Sequence, residues 1–491
     1  MTIQRVMPQL SLLALLGLAA CASGPDYVRP VAASAAQWQS PLPWQGSQPA
    51  DALPKGAWWQ VFGDAALNQL EDAALAANQN LKLATARLAQ ARANARAVDA
   101  NLWPTVDLSG RGARQQTSAN RPASTNDGKA TSTTQNDFII GATVAYEVDL
   151  FGRINREVES AAASSQQAEA DFENVRLLLT AEVASNWFAL RALDTELDVL
   201  KQSLTFQSRA VDLLAARHEK GAASGLDVAQ QEAQRDNTRT QIDLITRQRL
   251  LLANSLATLT GQPAPAFQLP ASPLALGTAG SALPAIPLGQ PASLLERRPD
   301  IAAAERGVAV ANALIGVADA ARFPSLKLNA GGGWDSRELS SLISAPSVFW
   351  ALGAGLAYSV IDGGRNAARL DAARANHEAA TAAYRQSVLR ALQEVEDSLA
   401  SLTTLKSAAA HAQTATTSAE HAQAIATDRY RGGIASYLEV VTASQNALNN
   451  RRQLAQLQGQ QLTSTVQLIK ALGGGWQNPQ QLAAQAVPQS Q

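Results

Sequence analysis

The apolar positions of this chain follow two periods in turn, and the sequence of periods occurs twice. From Phe138 to Leu150 the even positions are Phe138, Ile140, Ala142, Val144, Tyr146, Val148 and Leu150, while the odd ones include Gly141, Thr143, Glu147 and Asp149. That period of two predicts a strand over residues 138–150 with one apolar and one wet face. A shorter run at Val106, Leu108 and Gly110 predicts its partner over about 105–114. Leu326, Leu328, Ala330 and Trp334, then Val348, Trp350, Leu352, Ala354, Leu356, Tyr358 and Val360, predict a second pair over about 325–335 and 348–361. After each pair the period becomes helical. Residues 153–218 contain neither proline nor glycine, and Leu190, Leu193, Leu197, Leu200, Leu204, Val211 and Leu214 step by three and four or their sum, as in a coiled-coil seam. Such a helix would be ~100 Å long at 1.5 Å per residue. Gly221 and Gly225 interrupt it, and a returning helix carries Ile242, Ile245, Leu252, Leu256 and Leu259 to Gly261. A second hairpin turns at Gly432 and Gly433 and returns through Leu438, Val441, Leu448, Ala455, Leu462 and Val466. One further helix, from near Ala65 to Asn101, stops before Trp103 and Pro104 as proline requires.

The two halves are copies of each other. A shift of 212 residues carries Tyr146 onto Tyr358, Gly152 onto Gly364, Glu182 onto Glu394, Gly221 onto Gly433, Ser224 onto Ser436 and Gly261 onto Gly473 without a gap. Upstream, a shift of 220 aligns Leu81 with Ile301 and Trp103 with Phe323, so the eight extra residues of the first copy lie between Pro104 and Tyr146. The reading is therefore repeat 1 over residues 64–261, with its hairpin at 153–261, and repeat 2 over 300–473, with its hairpin at 364–472. Proline-rich residues 262–299 read as an irregular linker, residues 21–63 as an extended tether and 474–491 as a tail.

Composition narrows the function. Residues 1–20 carry Arg5 and a short apolar run from Leu10 to Leu18, too short to span a bilayer, so they read as an export signal. Leu18, Ala19, Ala20 and Cys21 resemble a bacterial lipobox, which implies a covalent lipid, palmitate among its acyl chains, on the single cysteine of the chain. Ala22 follows where an aspartate would resemble an inner-membrane retention signal, so the outer membrane is the expected address. A net charge of −1 gives no support for nucleic-acid binding. The four histidines show no metal spacing, and Gly353 and Gly355 lie within a strand rather than in a nucleotide loop, so they read as close-packing glycines. No catalytic residue, metal site or cofactor is expected, and no segment beyond residue 21 is expected to cross a membrane as a helix.

If the strands enter lipid, four per chain cannot close a barrel, because an open edge there leaves backbone groups unsatisfied. Closed barrels need about eight strands or more, so two copies would supply eight and three would supply twelve. The strand pattern alone also suits a soluble sandwich.

The residues resemble the TolC/OprM-like outer membrane factors, specifically the efflux lipoprotein (NodT) branch that serves RND pumps. The resemblance rests on Trp58, Trp59, Phe62 and Asp64 followed by Leu67 and Leu70; on Leu283 to Pro287 and Leu294 to Ile301; on Asp149 to Arg153; and on Cys21 to Tyr27. It implies a mainly α chain with membrane β: a homotrimer whose twelve-stranded outer-membrane β-barrel is continuous with a twelve-helix periplasmic α-barrel. It also argues against the soluble-sandwich reading of the strands. It further implies a passive exit channel of a tripartite efflux system, with a periplasmic adaptor and an inner-membrane RND transporter as partners. Gly221, Ser224, Gly433 and Ser436 match the hairpin tips where adaptors dock, Tyr430 the gate tyrosine, Asp227 an acidic partner of the gate, and Glu439 an acidic ring that filters cations weakly. A second ring position falls on Thr442 and the gate arginine on Ala435, so the closed state is expected to rest on tyrosine bonds and packing. Ducts for type I protein secretion or metal efflux, and a lipid-anchored structural protein without a pore, remain the alternatives.

Overall fold

The computed structural model describes residues 23–31, 56–120, 132–274, 284 and 297–474. The export signal, Cys21, most of the tether, most of the linker and nearly all of the tail lie outside the described residues. The chain divides into two compact units, the first drawn from residues 1–30, 89–167 and 304–383, the second from residues 31–88, 168–303 and 384–491.

The first unit holds a four-stranded antiparallel sheet of order β1-β2-β3-β4, with β1 at Thr105–Gln116, β2 at Thr134–Val148, β3 at Ser325–Ser336 and β4 at Val348–Ala357. The strands outrun or stop short of the sequence reading by a few residues; β4 ends at Ala357 rather than 361. Cross-strand register places Val106, Val144, Ala330 and Leu352 in one row and Asp107, Thr143, Gly331 and Ala351 in the next. Because successive side chains alternate between faces, Leu108, Ile140, Leu328, Trp350 and Leu356 share one face, and Asp107, Arg111, Asp137, Glu147, Lys327 and Asp335 the other. The apolar face is bare: Leu108, Trp350, Leu352 and Leu356 are all exposed. β1 and β4 are open edges. A Cβ built on Gly353 or Gly355 meets nothing within 4 Å, so these glycines are not close-packed as the sequence suggested; they front open space on the wet face.

The start of the described chain is strapped to this unit. Arg156 donates to the carbonyls of Ser23 and Gly24 and to Asp26, Asn312 donates to the Pro25 carbonyl, and Arg29 pairs with Glu305. The helix Pro299–Ala320 is long and apolar enough to cross a membrane, contrary to the expectation from sequence, and half of its apolar window is buried within the protein. Its apolarity therefore serves packing as a core helix does.

The seven helices labelled here are α1 (Ala65–Ala77), α2 (Gln79–Asp99), α3 (Arg153–Glu219), α4 (Gly225–Leu259), α5 (Pro299–Ala320), α6 (Arg365–Arg431) and α7 (Tyr437–Ala471). The single helix expected from 65 to 101 is two. Asn78 separates them, its Oδ1 accepting from the Leu81 N–H and its Nδ2 donating to the Leu259 carbonyl.

In the second unit the paired tryptophans form the heart of the core. Trp58 and Trp59 pack with Leu67, Leu70, Trp187, Phe188 and Leu190. Asp64 caps α1 by accepting from the Ala66 and Leu67 N–H groups, and its other oxygen takes Trp187 Nε1 at 2.8 Å and Arg191 Nη1 at 2.7 Å. This explains why the aromatic run is followed by an aspartate: one carboxylate satisfies a helix end and two side chains of α3. On the next turns Glu71 is fully buried, and neither carboxylate oxygen has a hydrogen-bond partner among the described residues. Burial, with a smaller contribution from Asp72, pushes its carboxyl up to about 9. The folded protein therefore holds one more proton than the unfolded chain between the ordinary carboxylate range and about pH 9. Stability is expected to fall as pH rises through that window, and Glu71→Gln is expected to flatten the decline; melting temperatures from pH 5 to pH 9 at fixed protein concentration check this.

Candidate functional site at the hairpin tips

Both hairpins turn by the same chemistry. α3 ends with the Gly221 N–H on the His218 carbonyl and the Ala222 N–H on the Arg217 carbonyl; α6 ends with Gly433 on Tyr430 and Ile434 on Arg429. These are paired Schellman closures, and they need a residue in the left-handed region, met by Gly221 at φ 73° and Gly433 at φ 74°. Gly225, which the sequence suggested as a helix breaker, is instead the first residue of α4. Ser224 caps that helix: its Oγ accepts from the Asp227 N–H at 3.1 Å, and the Asp227 carboxylate accepts from the Ser224 N–H at 3.3 Å. The second copy departs here. Ser436 holds the cap position of α7 without a side-chain bond, and Glu439, the counterpart of Asp227, turns to Arg429 at 3.9 Å.

The structure thus gives the sequence candidates different roles. Gly221, Gly433, Ser224, Ser436 and Glu439 are exposed at the tips. Asp227 spends its carboxylate on the cap and makes no bond to Tyr430. Tyr430 joins the two hairpins: its hydroxyl accepts from Arg217 Nη1 at 3.2 Å, the Arg217 guanidinium lies 5.7 Å from its ring centre, and its ring meets that of Tyr437 edge-on at 5.1 Å. Beneath, Tyr437 is buried with Leu214 and Val440 and donates to Gln231. Burial, and then the charges of Tyr430 and Asp227, push the Tyr437 hydroxyl up to about 12, which keeps it a donor across the physiological range. A groove of about 630 Å³ runs along the second hairpin, lined by Ala419, Ala422, Ala426, Ser436, Leu438 and Glu439 among others.

Residues 429–440 resemble the family's tip-and-gate segment, which takes in Arg429 and Tyr437, but sequence reasoning gave neither of them a role and passed over Arg217 and Gln231. A signal for two of them was present, since the same shift of 212 that pairs the tip glycines also puts Arg217 on Arg429. Arginine in the last turn of a helix is also favoured by the helix dipole, which masks its second use.

The family model described as outer membrane efflux protein matches residues 70–262 and 291–474, one segment on each repeat. The chain belongs to that family. The solvent efflux pump outer membrane protein SrpC of Pseudomonas putida is 34% identical over 473 residues, covering 95% of this chain and 98% of the relative. The outer membrane protein OprJ of Pseudomonas aeruginosa is 31% identical over 466 residues, with 95% of each chain covered. The solved structure of the outer-membrane channel OprN superposes with a TM-score of 0.83 at 30% identity, over 93% of this chain and 100% of the other. This family member is accordingly an outer-membrane component of an efflux system with the TolC-like, mainly helical fold. The apolar sheet face described above belongs to a membrane protein and not to a soluble sandwich.

Proposed function

We propose that three copies of this chain close one twelve-stranded barrel, that their hairpins assemble a twelve-helix tube, and that the assembly is a passive exit duct for small toxic organic compounds. The observation that carries the reading is the sheet: four antiparallel strands with one apolar face, one polar face and two open edges. In lipid those edges need partners, and joining β4 of each copy to β1 of the next supplies them. Three copies rather than two is what the resemblance to the TolC/OprM-like factors implies, and four long helices per chain then give a tube of twelve.

The duct hydrolyses nothing. An inner-membrane transporter of the RND type supplies the energy, and a periplasmic adaptor docks on the tips at Gly221, Ser224, Gly433 and Ser436 and along the alanine-lined groove. Tyr430, with Asp227 nearby, forms the periplasmic gate; Glu439 forms an acidic ring that favours cations weakly. A lipid on Cys21 anchors each copy to the outer membrane. The organic cargo is supported by the solvent pump to which SrpC belongs. The reading is tested by deleting the gene and measuring sensitivity to antibiotics, dyes, detergents, solvents and metals. Sensitisation to several unrelated organic compounds is expected. Sensitisation to metals alone, or loss of a secreted protein instead, would contradict it in favour of a dedicated duct.

A further inference from the structure

The bonds among the four helices at the tips are of two kinds. The outer ones face water: Arg217 reaches Tyr430 at 3.2 Å, and Arg429 lies 3.9 Å from Glu439 with each side chain about half exposed. The inner ones are neutral and closed off from solvent. Tyr437, the first residue of α7 and 7% exposed, donates its hydroxyl to Gln231 Oε1 on α4 at 2.9 Å. Gln231, 3% exposed, in turn donates through Nε2 to the Gln207 carbonyl on α3 at 3.3 Å. A relay of three residues thus runs from the start of α7 through α4 to α3, one layer beneath the gate tyrosine, whose ring rests on Tyr437.

The two layers respond differently to opening. An exposed contact that breaks is replaced by water at little cost, and what its charges contribute is screened by salt. A buried phenol hydroxyl and a buried amide oxygen that part company while still out of water are each left without a partner, which is the costly case. Tyr437 and Gln231 carry no charge, so salt leaves their bond alone.

We propose that Tyr437 is a positioning residue of the gate: its buried bond to Gln231, rather than the exposed contacts of Tyr430, holds the second hairpin seated on the first in the closed state. This rests on the reading of the tips as the gate. Opening lifts the start of α7 from α4 and breaks the relay; Tyr430 is held in place because the ring beneath it is held.

The test is the single-channel open fraction of the purified full-length protein in planar bilayers. Wild type is compared with Tyr430→Phe, Tyr437→Phe, Gln231→Leu and the Tyr437→Phe/Gln231→Leu double variant, at about 0.1 and about 1 M KCl, salt levels that span strong to nearly complete screening. Tyr437→Phe and Gln231→Leu are each expected to raise the open fraction about 5–30-fold, the range of a lost buried hydrogen bond. The double variant is expected to add little to either single one, since both remove the same bond. The rise is expected to be equal at both salt concentrations, with the open-channel conductance unchanged. Substituting a residue that merely stabilised the fold would lower the melting temperature without raising the open fraction. If Tyr430→Phe opens the channel and Tyr437→Phe does not, the proposal is overturned and the gate stands. If neither opens it, the gate reading itself fails. Fully additive effects of Tyr437→Phe and Gln231→Leu would also overturn the relay.

Discussion

Leu352→Arg is expected to destabilise the assembled protein by about 2–4 kcal/mol, whereas Ala351→Arg, its neighbour in β4, is expected to cost less than about 1 kcal/mol. Both positions are exposed in the single chain, so exposure does not distinguish them. The register does. Leu352 stands in a row with Val106, Val144 and Ala330, and Ala351 in a row with Asp107, Thr143 and Gly331. A charge on the first row faces hydrocarbon when the sheet is in a bilayer; on the second it faces water and has the space left by Gly331, Gly353 and Gly355. Denaturant titration of the protein reconstituted in lipid vesicles reads the two costs. Equal tolerance at the two positions would mean that the apolar face is not a lipid face.

Arg452→Ala is expected to cost about 3–5 kcal/mol, because it strands a buried charge. Glu196 on α3 has a side chain only 2% exposed, and its Oε1 accepts from Arg452 Nε of α7 at 2.8 Å. Arg452 Nη1 also donates to Gln241 of α4 at 3.0 Å, and Gln456 reaches both oxygens of Glu196. Without the guanidinium the carboxylate keeps only an amide partner in a place that water does not reach. Replacing both members by methionine is expected to restore most of the loss, since a buried ion pair is often no better than apolar packing of similar volume. Scanning calorimetry at one protein concentration checks both, and a single variant as stable as wild type would show that Glu196 finds another partner.

Local pattern made much of the fold readable. Period-two alternation located all four strands, because a sheet with one apolar face must write that face into every second residue. The long helices were legible from the absence of proline and glycine between residues 153 and 218, and the tips from glycines repeated at a fixed shift. What escaped depends on partners distant in sequence. Asn78 splits α1 from α2 by bonding to Leu259, and nothing near residue 78 announces that. Glu71 reads as an ordinary polar position of an amphipathic helix, yet its burial comes from packing that the local pattern does not encode. Pro299–Ala320 exceeded its expected apolarity because α5 is buried on more than one side, so its hydrophobic residues are not confined to a single stripe. At the tips the resemblance located Tyr430, Asp227 and Glu439, but their bonds differ from one another for local reasons. Asp227 is captured by the cap of α4, while Glu439, with no serine hydroxyl engaged beside it, pairs with Arg429. The bond between Tyr437 and Gln231 was invisible because a tyrosine that opens a helix and a glutamine within one are common surface residues; only the fold brings them together and removes the water.

The most direct test of the central claim, that copies of this chain close a conducting barrel, is the current carried by the purified Tyr430→Phe/Tyr437→Phe double variant, which lacks both layers of tip bonds, in a planar bilayer, measured alongside its mass in detergent. The account predicts a trimer that inserts in discrete conductance steps and prefers cations weakly, a preference that Glu439→Ala diminishes. A monomer, or a trimer that inserts and carries no current, would contradict it.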